Sequence, residues 1–140
     1  MSGFLLDTNV LSEVIKKRPD RSVMERLGSI PADDLFTSSI CVTELRFGTV
    51  RHPRGGSIWN RIEAEILPRL EVLPVGMGEA LRAGEILADL ANRGELIGLE
   101  DVLIAATALE NGLTAVTRNL KHFHRIPGLR SESWWDGSDP

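Results

Sequence analysis

The stretch Gly3-Phe4-Leu5-Leu6-Asp7-Thr8-Asn9-Val10-Leu11 sets an apolar run, an abrupt acid and two small polar residues in one line. Gly3 to Leu6 reads as a short buried strand that ends at Asp7. Thr8 and Asn9 suit the cap of a helix running through Val10, Leu11, Val14 and Ile15.

The same alternation continues outward. Pro19-Asp20 starts a second helix with Val23, Met24 and Leu27 on its apolar face, closed by Gly28. Leu35 to Ser38 is a second strand, and Ser39 caps a helix over 40–50. Residues 51–56 read as a loop, and Ser57 opens a helix through Ile58, Ile62, Ile66 and Leu67 that ends near Pro68. Glu71 to Val75 is a third strand. An amphipathic helix follows, with Ala80, Ala83, Leu87 and Leu90 spaced by threes and fours. After Gly94, residues 101–112 are apolar on nearly every side, so that helix should be deeply buried. Thr114 to Thr117 forms a fourth strand, and the tail holds Pro127-Gly128, a short extended piece and Trp134-Trp135. The two tryptophans suit closure of a core or an interface better than stacking on bases. Strands alternating with helices predict an α/β fold of three layers, with a mainly parallel sheet of four to five strands between helices.

A length of 140 residues suits one domain, 1–140, around a single core. The lone Cys41 excludes an intramolecular disulfide and a Cys-rich zinc site. The opening apolar run is too short for a signal-peptide core or a membrane span, which places the protein in the cytoplasm with no membrane partner. A net charge of -4 argues against a general phosphate-coating nucleic-acid binder. It leaves room for a nuclease, whose metal-binding acids make it look more acidic than its loaded form.

Three acids stand where the apolar pattern does not want them. Asp7 ends a buried strand. Glu44 has Ile40 and Cys41 on the preceding turn and Phe47 and Gly48 on the next. Asp101 shares a face with Ile104, Ala105 and Ala108. An isolated buried carboxylate costs several kcal/mol, so such groups are paired, protonated or bound to metal. In a parallel α/β sheet the site forms beyond the carboxyl ends of the strands, where Asp7 and the segment Thr117-Arg118-Asn119 both fall. Hard oxygen donors without His or Cys favour Mg²⁺, with Mn²⁺ as the second choice. Each acid also has a plainer reading: Asp7 as a helix cap, Asp101 with Glu100 as helix-start acids, and Glu44 paired with Arg46 or turned to solvent.

Leu5-Leu6-Asp7-Thr8-Asn9-Val10 resembles the opening motif of PIN-domain ribonuclease toxins of the VapC type. Thr43-Glu44-Leu45-Arg46-Phe47-Gly48 is similar to the second motif, and Asp101 with Leu103-Ile104-Ala105-Ala106-Thr107-Ala108 to the third. Thr117-Arg118-Asn119, with Phe123 and Ile126-Pro127-Gly128, is similar to the fourth. The order is the family's, and the motifs span nearly the whole chain. The resemblance, which extends to the FitB-like branch, implies a Mg²⁺-dependent endoribonuclease. Asp7, Glu44 and Asp101 would be its catalytic, metal-holding residues, and Thr8, Asn9, Thr117, Asn119 and Arg118 would orient ligands or meet substrate. It further implies an RNA substrate, a small VapB-like antitoxin, a homodimer or higher assembly with the antitoxin, and DNA contact only through that partner. Many relatives carry Asp where this chain has Asn119, which weakens a second metal position.

Two basic groups complete the reading. Arg46, Arg51, His52 and Arg54 flank one loop, and Arg118, Lys121, His122, His124 and Arg125 flank another. If both border the acidic pocket, they can hold RNA phosphates. A general-acid role for His122 or His124 is not needed by a metal mechanism. A haloacid-dehalogenase-type phosphatase would want a second Asp at the position of Asn9, which is absent. The alternative outside enzymology is a partner-bound regulatory module with a vestigial site.

Overall fold

A computed structural model describes residues 3–136; the ends of the expected 1–140 domain lie outside the described residues. The strands are β1 (Phe4–Leu6), β2 (Leu35–Ser38), β3 (Glu71–Leu73), β4 (Thr114–Val116) and β5 (Ser131–Glu132), all parallel in the order β3-β2-β1-β4-β5. The helices are α1 (Thr8–Val14), α2 (Arg21–Ser29), α3 (Ser39–Arg51), α4 (Gly55–Arg61), α5 (Met77–Asn92), α6 (Leu99–Glu110) and α7 (Leu120–Phe123). The sheet is the middle layer of an α/β/α sandwich, as expected. The expected piece before the tryptophans pairs as the fifth strand.

Strand order places the site. The chain winds from β1 outward to β2 and β3, then returns to β4 on the other side of β1. The crevice between β1 and β4 is therefore the topological switch point, where ligands gather in open parallel sheets. Asp7 follows β1 and Thr117 follows β4, so the two meet at its mouth.

The core explains the elements. Leu5 and Leu6 of β1, Leu35 of β2 and Ala115 and Val116 of β4 are buried against Val10, Leu11, Val23, Leu27, Cys41 and Leu45 from the helices. A second apolar cluster joins Ala83, Ile86 and Leu90 of α5 to Val102, Ala105 and Ala106 of α6. α6 is buried on almost every side, as its sequence predicts. Trp134 and Trp135 close the main cluster, Trp134 edge-on to Phe4 at 5.7 Å.

Several local expectations shift. Ser38, not Ser39, caps α3 by accepting from the Ile40 N–H at 3.0 Å. β3 stops at Leu73 and β4 at Val116, while α6 starts two residues before Asp101. The buried stripe of α5 is Ala83, Ile86 and Leu90; Ala80 faces solvent and Leu87 is half-buried. The predicted loop 51–56 is shorter, because α4 already starts at Gly55. That residue is buried so close to α3 that a Cβ would fall 1.6 Å from the Thr49 carbonyl oxygen, so no other amino acid fits. α4 then loosens into a π turn (Ile62–Ile66) and tightens into a 3₁₀ turn (Leu67–Arg69), which keeps Ile62 and Ile66 both buried.

Phe47 is the clearest departure. The burial line of α3 is Cys41, Leu45 and Thr49, spaced by four, and Glu44 lies at its half-buried edge. Phe47 is 63% exposed instead of sharing a core face with Glu44, and Val50 near the helix end is 67% exposed.

Candidate active site

Asp7 is 5% exposed and sits at the N-cap of α1. Its carbonyl accepts from Val10 and Leu11, so the backbone does cap the helix. The carboxylate is used differently from an ordinary cap, which accepts from the second or third helical N–H. Oδ1 accepts from the Thr8 N–H at 2.7 Å, and Oδ2 accepts from the Thr117 hydroxyl at 2.7 Å and the Asn9 amide at 3.3 Å. The Asp7 N–H bonds the Val116 carbonyl at 2.9 Å, which locks the end of β1 to the end of β4.

No cation contacts this carboxylate among its bonded partners, and its protonation reflects that. Burial pushes the Asp7 carboxyl up from 3.8 to about 6, the Thr117 and Thr8 hydrogen bonds pull it down, and the charges of Asp101 and Glu44 add to the rise. Cys41 has its Sγ 4.0 Å from Asp7 Oδ1. Burial and the nearby Asp7 charge push its thiol up to about 12, so it stays neutral.

Glu44 comes in from α3 and accepts from the Thr8 hydroxyl. Asp7, Glu44 and Cys41 each bring a ligand-type atom within 4.8 Å of the others. The neutral thiol is a poor ligand, so the effective donors are hard oxygens. The geometry can hold a metal ion: a buried acid and a half-buried one converge, hydroxyls orient them, and no cation is among their hydrogen-bond donors within the described residues.

Asp101 belongs to the same cleft and raises the Asp7 carboxyl by its charge, yet it is not in that tight group. Its Oδ2 faces His122 Nδ1 at 2.9 Å, and the same ring nitrogen is 2.8 Å from the Asn119 amide. One nitrogen cannot take a proton from an amide and give one to a carboxylate. With Asp101 ionised, Nδ1 carries the proton and Asn119 turns its carbonyl oxygen to the ring. His122 therefore holds Asp101.

The cleft measures about 390 Å³ and is lined by Asp7, Thr8, Asn9, Glu44, Asp101, Arg118 and Asn119, together with Ser12, Glu13, Lys16 and Trp135. All the residues expected from the sequence meet there except Thr117, which lies just beneath, completely buried and bonded to Asp7. Its hydroxyl also accepts from the Asn119 N–H at 2.9 Å, and Asn9 accepts from the Arg118 N–H at 3.1 Å. The second-rank residues thus form one network under the acids.

Ser12, Glu13, Lys16 and Trp135 are the cleft residues that sequence reasoning missed. Glu13 is 5% exposed and accepts from Lys16 Nζ and from the Asp20 N–H, both at 2.8 Å. Burial pushes its carboxyl up, but Lys16, the Asp20 N–H and the Trp135 side chain outweigh this and hold it below the usual glutamate value. The Glu13–Lys16 spacing is a legible helical pair; the approach of Trp135 from the far end of the chain is not.

The two basic groups do not both surround the acids. Arg46 stacks on Trp59 at 4.9 Å and Arg51 on Phe47 at 5.2 Å, around a separate apolar groove of about 740 Å³. Arg125 donates to the carbonyls of Glu95 and Leu96. His52 borders a smaller groove that adjoins the acids at Thr8 and Glu44. Arg118 alone of the expected arginines lines the cleft. Among the described residues, no helix is long and apolar enough to cross a membrane.

The PIN domain family matches residues 4–129. The chain is 38% identical to the VapC ribonuclease Y4jK of Sinorhizobium fredii, over 94% of this chain and 97% of that protein. It is 33% identical to Toxin FitB of Neisseria gonorrhoeae, over 94% of this chain and 99% of that one. The toxin chain's fold is matched in the crystal structure of DNA-bound VapBC from Salmonella typhimurium with a TM-score of 0.87, at 36% identity, covering 96% of this chain and 99% of that one.

Proposed function

The chain belongs to the PIN-domain family as a VapC-type member, and from that premise we propose that Asp7, Glu44 and Asp101 make it a metal-dependent endoribonuclease, the toxin of a toxin–antitoxin pair. The observation that carries the assignment of residues is Asp7 itself. It is a nearly fully buried acid, bonded only by neutral donors, with its carboxyl raised mainly by that burial and further by the charges of Asp101 and Glu44. A fold gains nothing from that arrangement unless a cation completes it.

The hard oxygens favour Mg²⁺, or Mn²⁺, over zinc. When bound, such an ion supplies positive charge to the scissile phosphate and activates water. The protein's own groups do the rest. Thr117 and Thr8 fix the two Asp7 oxygens, Thr8 also fixes Glu44, and His122 fixes Asp101. Asn9 and Asn119 tie these positions to the Arg118 backbone and to each other through Thr117. The set is charge-poor at Asn119, which favours one firmly held ion.

We further infer a small antitoxin partner and a second copy of this chain. Two exposed apolar areas support that reading: Phe47 and Val50 beside Trp59, and Met77 and Leu81 on α5 with Leu96 and Leu99 beyond it. A net charge of -4 suits DNA contact through the antitoxin rather than by this chain.

Purified protein incubated with total RNA in Mg²⁺ should cut it, and EDTA or Asp7→Asn should stop the cutting. Undiminished cleavage by Asp7→Asn would sink the assignment. Sedimentation should report about twice 15.4 kDa for the free protein; a clean monomer at micromolar concentration would remove the dimer.

A further inference from the structure

Beyond the acids, the cleft carries two cations that the metal site does not use, and each is seated on a buried group. Trp135 is 7% exposed, and its ring faces the Arg118 guanidinium at 5.0 Å. The Arg118 main chain is fixed as well, donating to Asn9, whose own amide reaches Asp7. Arg118 is therefore held at both ends, by its backbone to the acid cluster and by its head to a buried indole.

Lys16 is held in a parallel way. Its ammonium donates to Glu13 at 2.8 Å, while its side chain remains 56% exposed. One donor is engaged there and two remain for another acceptor. Glu13 is kept in place by the Asp20 N–H at the start of α2 and by the Trp135 side chain. One indole thus touches the seats of both cations.

An acidic pocket alone repels the polyanion it must cut. Cations held at its edge offset that repulsion, and guanidinium and ammonium groups are the usual phosphate contacts. Neither cation faces an aromatic platform open to a base: the Trp135 ring is already covered by Arg118 and the core.

Building on the nuclease reading, we propose that Lys16 and Arg118 form a two-point cradle for backbone phosphates of single-stranded RNA next to the bond being cut, and that Glu13 and Trp135 position the two cations. The cradle reads charge and spacing, not base identity.

The test combines two measurements on the full-length protein. The first is binding of a short fluorescent single-stranded RNA, with Ca²⁺ replacing Mg²⁺, across a range of salt concentrations. The second is steady-state cleavage in Mg²⁺. Each phosphate contact on a single strand contributes about 0.7 to the slope of log affinity against log salt. Arg118→Ala and Lys16→Ala should each lower the slope by about that amount, and raise KM roughly tenfold with a much smaller change in kcat. Trp135→Ala keeps the positive charge but removes the aromatic face beneath it, so KM should rise several-fold. Trp135→Phe keeps an aromatic face and should restore most of the loss, whereas Trp135→Leu, which fills the core without a π face, should not; equal rescue by both would make the indole merely structural. If Trp135→Ala does not fold, the two cation variants and Trp135→Phe still decide the matter. Wild-type affinity and slope in both cation variants overturn the cradle, whether or not the protein cuts RNA. Weakened binding in those variants, with no cleavage by the wild type, supports the cradle and removes the nuclease instead.

Discussion

Asp7 and Glu13 stand at the two ends of α1, both carboxylates, both 5% exposed, and they are built in opposite ways. Glu13 meets an ammonium, a main-chain N–H and an indole, and its carboxyl is held below the usual value. Asp7 meets a main-chain N–H, an amide and a hydroxyl, with two further acids close by, and its carboxyl is pushed to about 6. Their solvent exposure is the same, yet Asp7 lies much deeper in the protein, and that desolvation is the main reason its carboxyl rises. The partners differ as well: Glu13 is paired with a cation of its own chain, whereas Asp7 is bonded by neutral donors beside two other acids, which is the arrangement that the proposed metal site would complete.

The largest effect expected from this contrast is on Asp7→Asn. Loss of a charged metal donor should lower cleavage by at least about 100-fold, more than the loss of a group that only orients a ligand. Stability in EDTA should move the other way. Moving a carboxyl from 3.8 to about 6 corresponds to roughly 3 kcal/mol against the ionised form in the native state at neutral pH, which sets a ceiling on the gain. Asn remains a good N-cap, so little is lost there. Thermal unfolding in EDTA at pH 8 checks this; a marked fall in Tm would make Asp7 a structural group like Glu13.

Glu13→Gln should show the reverse. It removes the charge that receives Lys16 and a strong acceptor for the Asp20 N–H, and should cost roughly 1–3 kcal/mol. Lys16 is exposed enough to find water, which keeps the loss toward the lower end. The Mg²⁺ affinity of the folded protein, followed by titration, should stay unchanged. A weaker Mg²⁺ affinity with no loss of stability would break the contrast from the other side.

The contrast was half legible in the sequence. Asp7, Glu44 and Asp101 stood out because each interrupts an apolar pattern, and the strand-helix alternation with the switch point brings them to one crevice. Glu13 did not stand out, because an acid followed three residues later by Lys16 reads as an ordinary solvated pair. Its burial is imposed by α2 folding back through Asp20 and by a tail more than a hundred residues away, which no local pattern encodes. Phe47 misled for a related reason. Its spacing fits an apolar face with Ile40 and Glu44, but the sheet buries the line through Cys41 and Leu45, leaving Phe47 beside Trp59 on the surface. His122 was weighed as an acid catalyst, and only the fold shows its ring on Asp101.

The pH response should separate the two acids further. For Asp7 the folded value lies above the ordinary one, so its stabilising contribution is complete below about 3.8 and disappears as pH rises through about 6. For Glu13 the folded value is lowered, so its contribution is present above the ordinary glutamate value and is lost as pH falls below it. In EDTA the two opposing trends should place maximum stability at about pH 4, around the ordinary aspartate value of 3.8 and glutamate value of 4.5, with stability falling from there to about 6. With ionised Asp7 as a ligand, as proposed, the Tm gain on adding Mg²⁺ should grow as pH passes through about 6. A Mg²⁺ gain that is flat from pH 5 to 8 would mean that Asp7 is already ionised, or is not a ligand.

Asn119→Asp should give the smallest effect, and it asks whether the site can be moved further toward the Asp7 extreme. A fourth acid adds charge to the cleft, which by itself tightens Mg²⁺ or Mn²⁺. The gain is limited by where position 119 points. Its side chain lies 2.8 Å from His122 Nδ1, the nitrogen that also faces Asp101 at 2.9 Å. A carboxylate there competes for the same proton donor, so part of its charge is spent on His122 and Asp101 is released in exchange. Metal titration should therefore show only a few-fold gain in affinity, while stability in EDTA falls slightly because another like charge joins Asp7, Glu44 and Asp101. Pairing the change with His122→Ala distinguishes the two contributions. If His122 is what restrains the new acid, the double variant should bind Mg²⁺ more tightly than Asn119→Asp alone. If the double variant instead binds more weakly than either parent, His122 orients Asp101 for the ion and the fourth acid cannot take over that role.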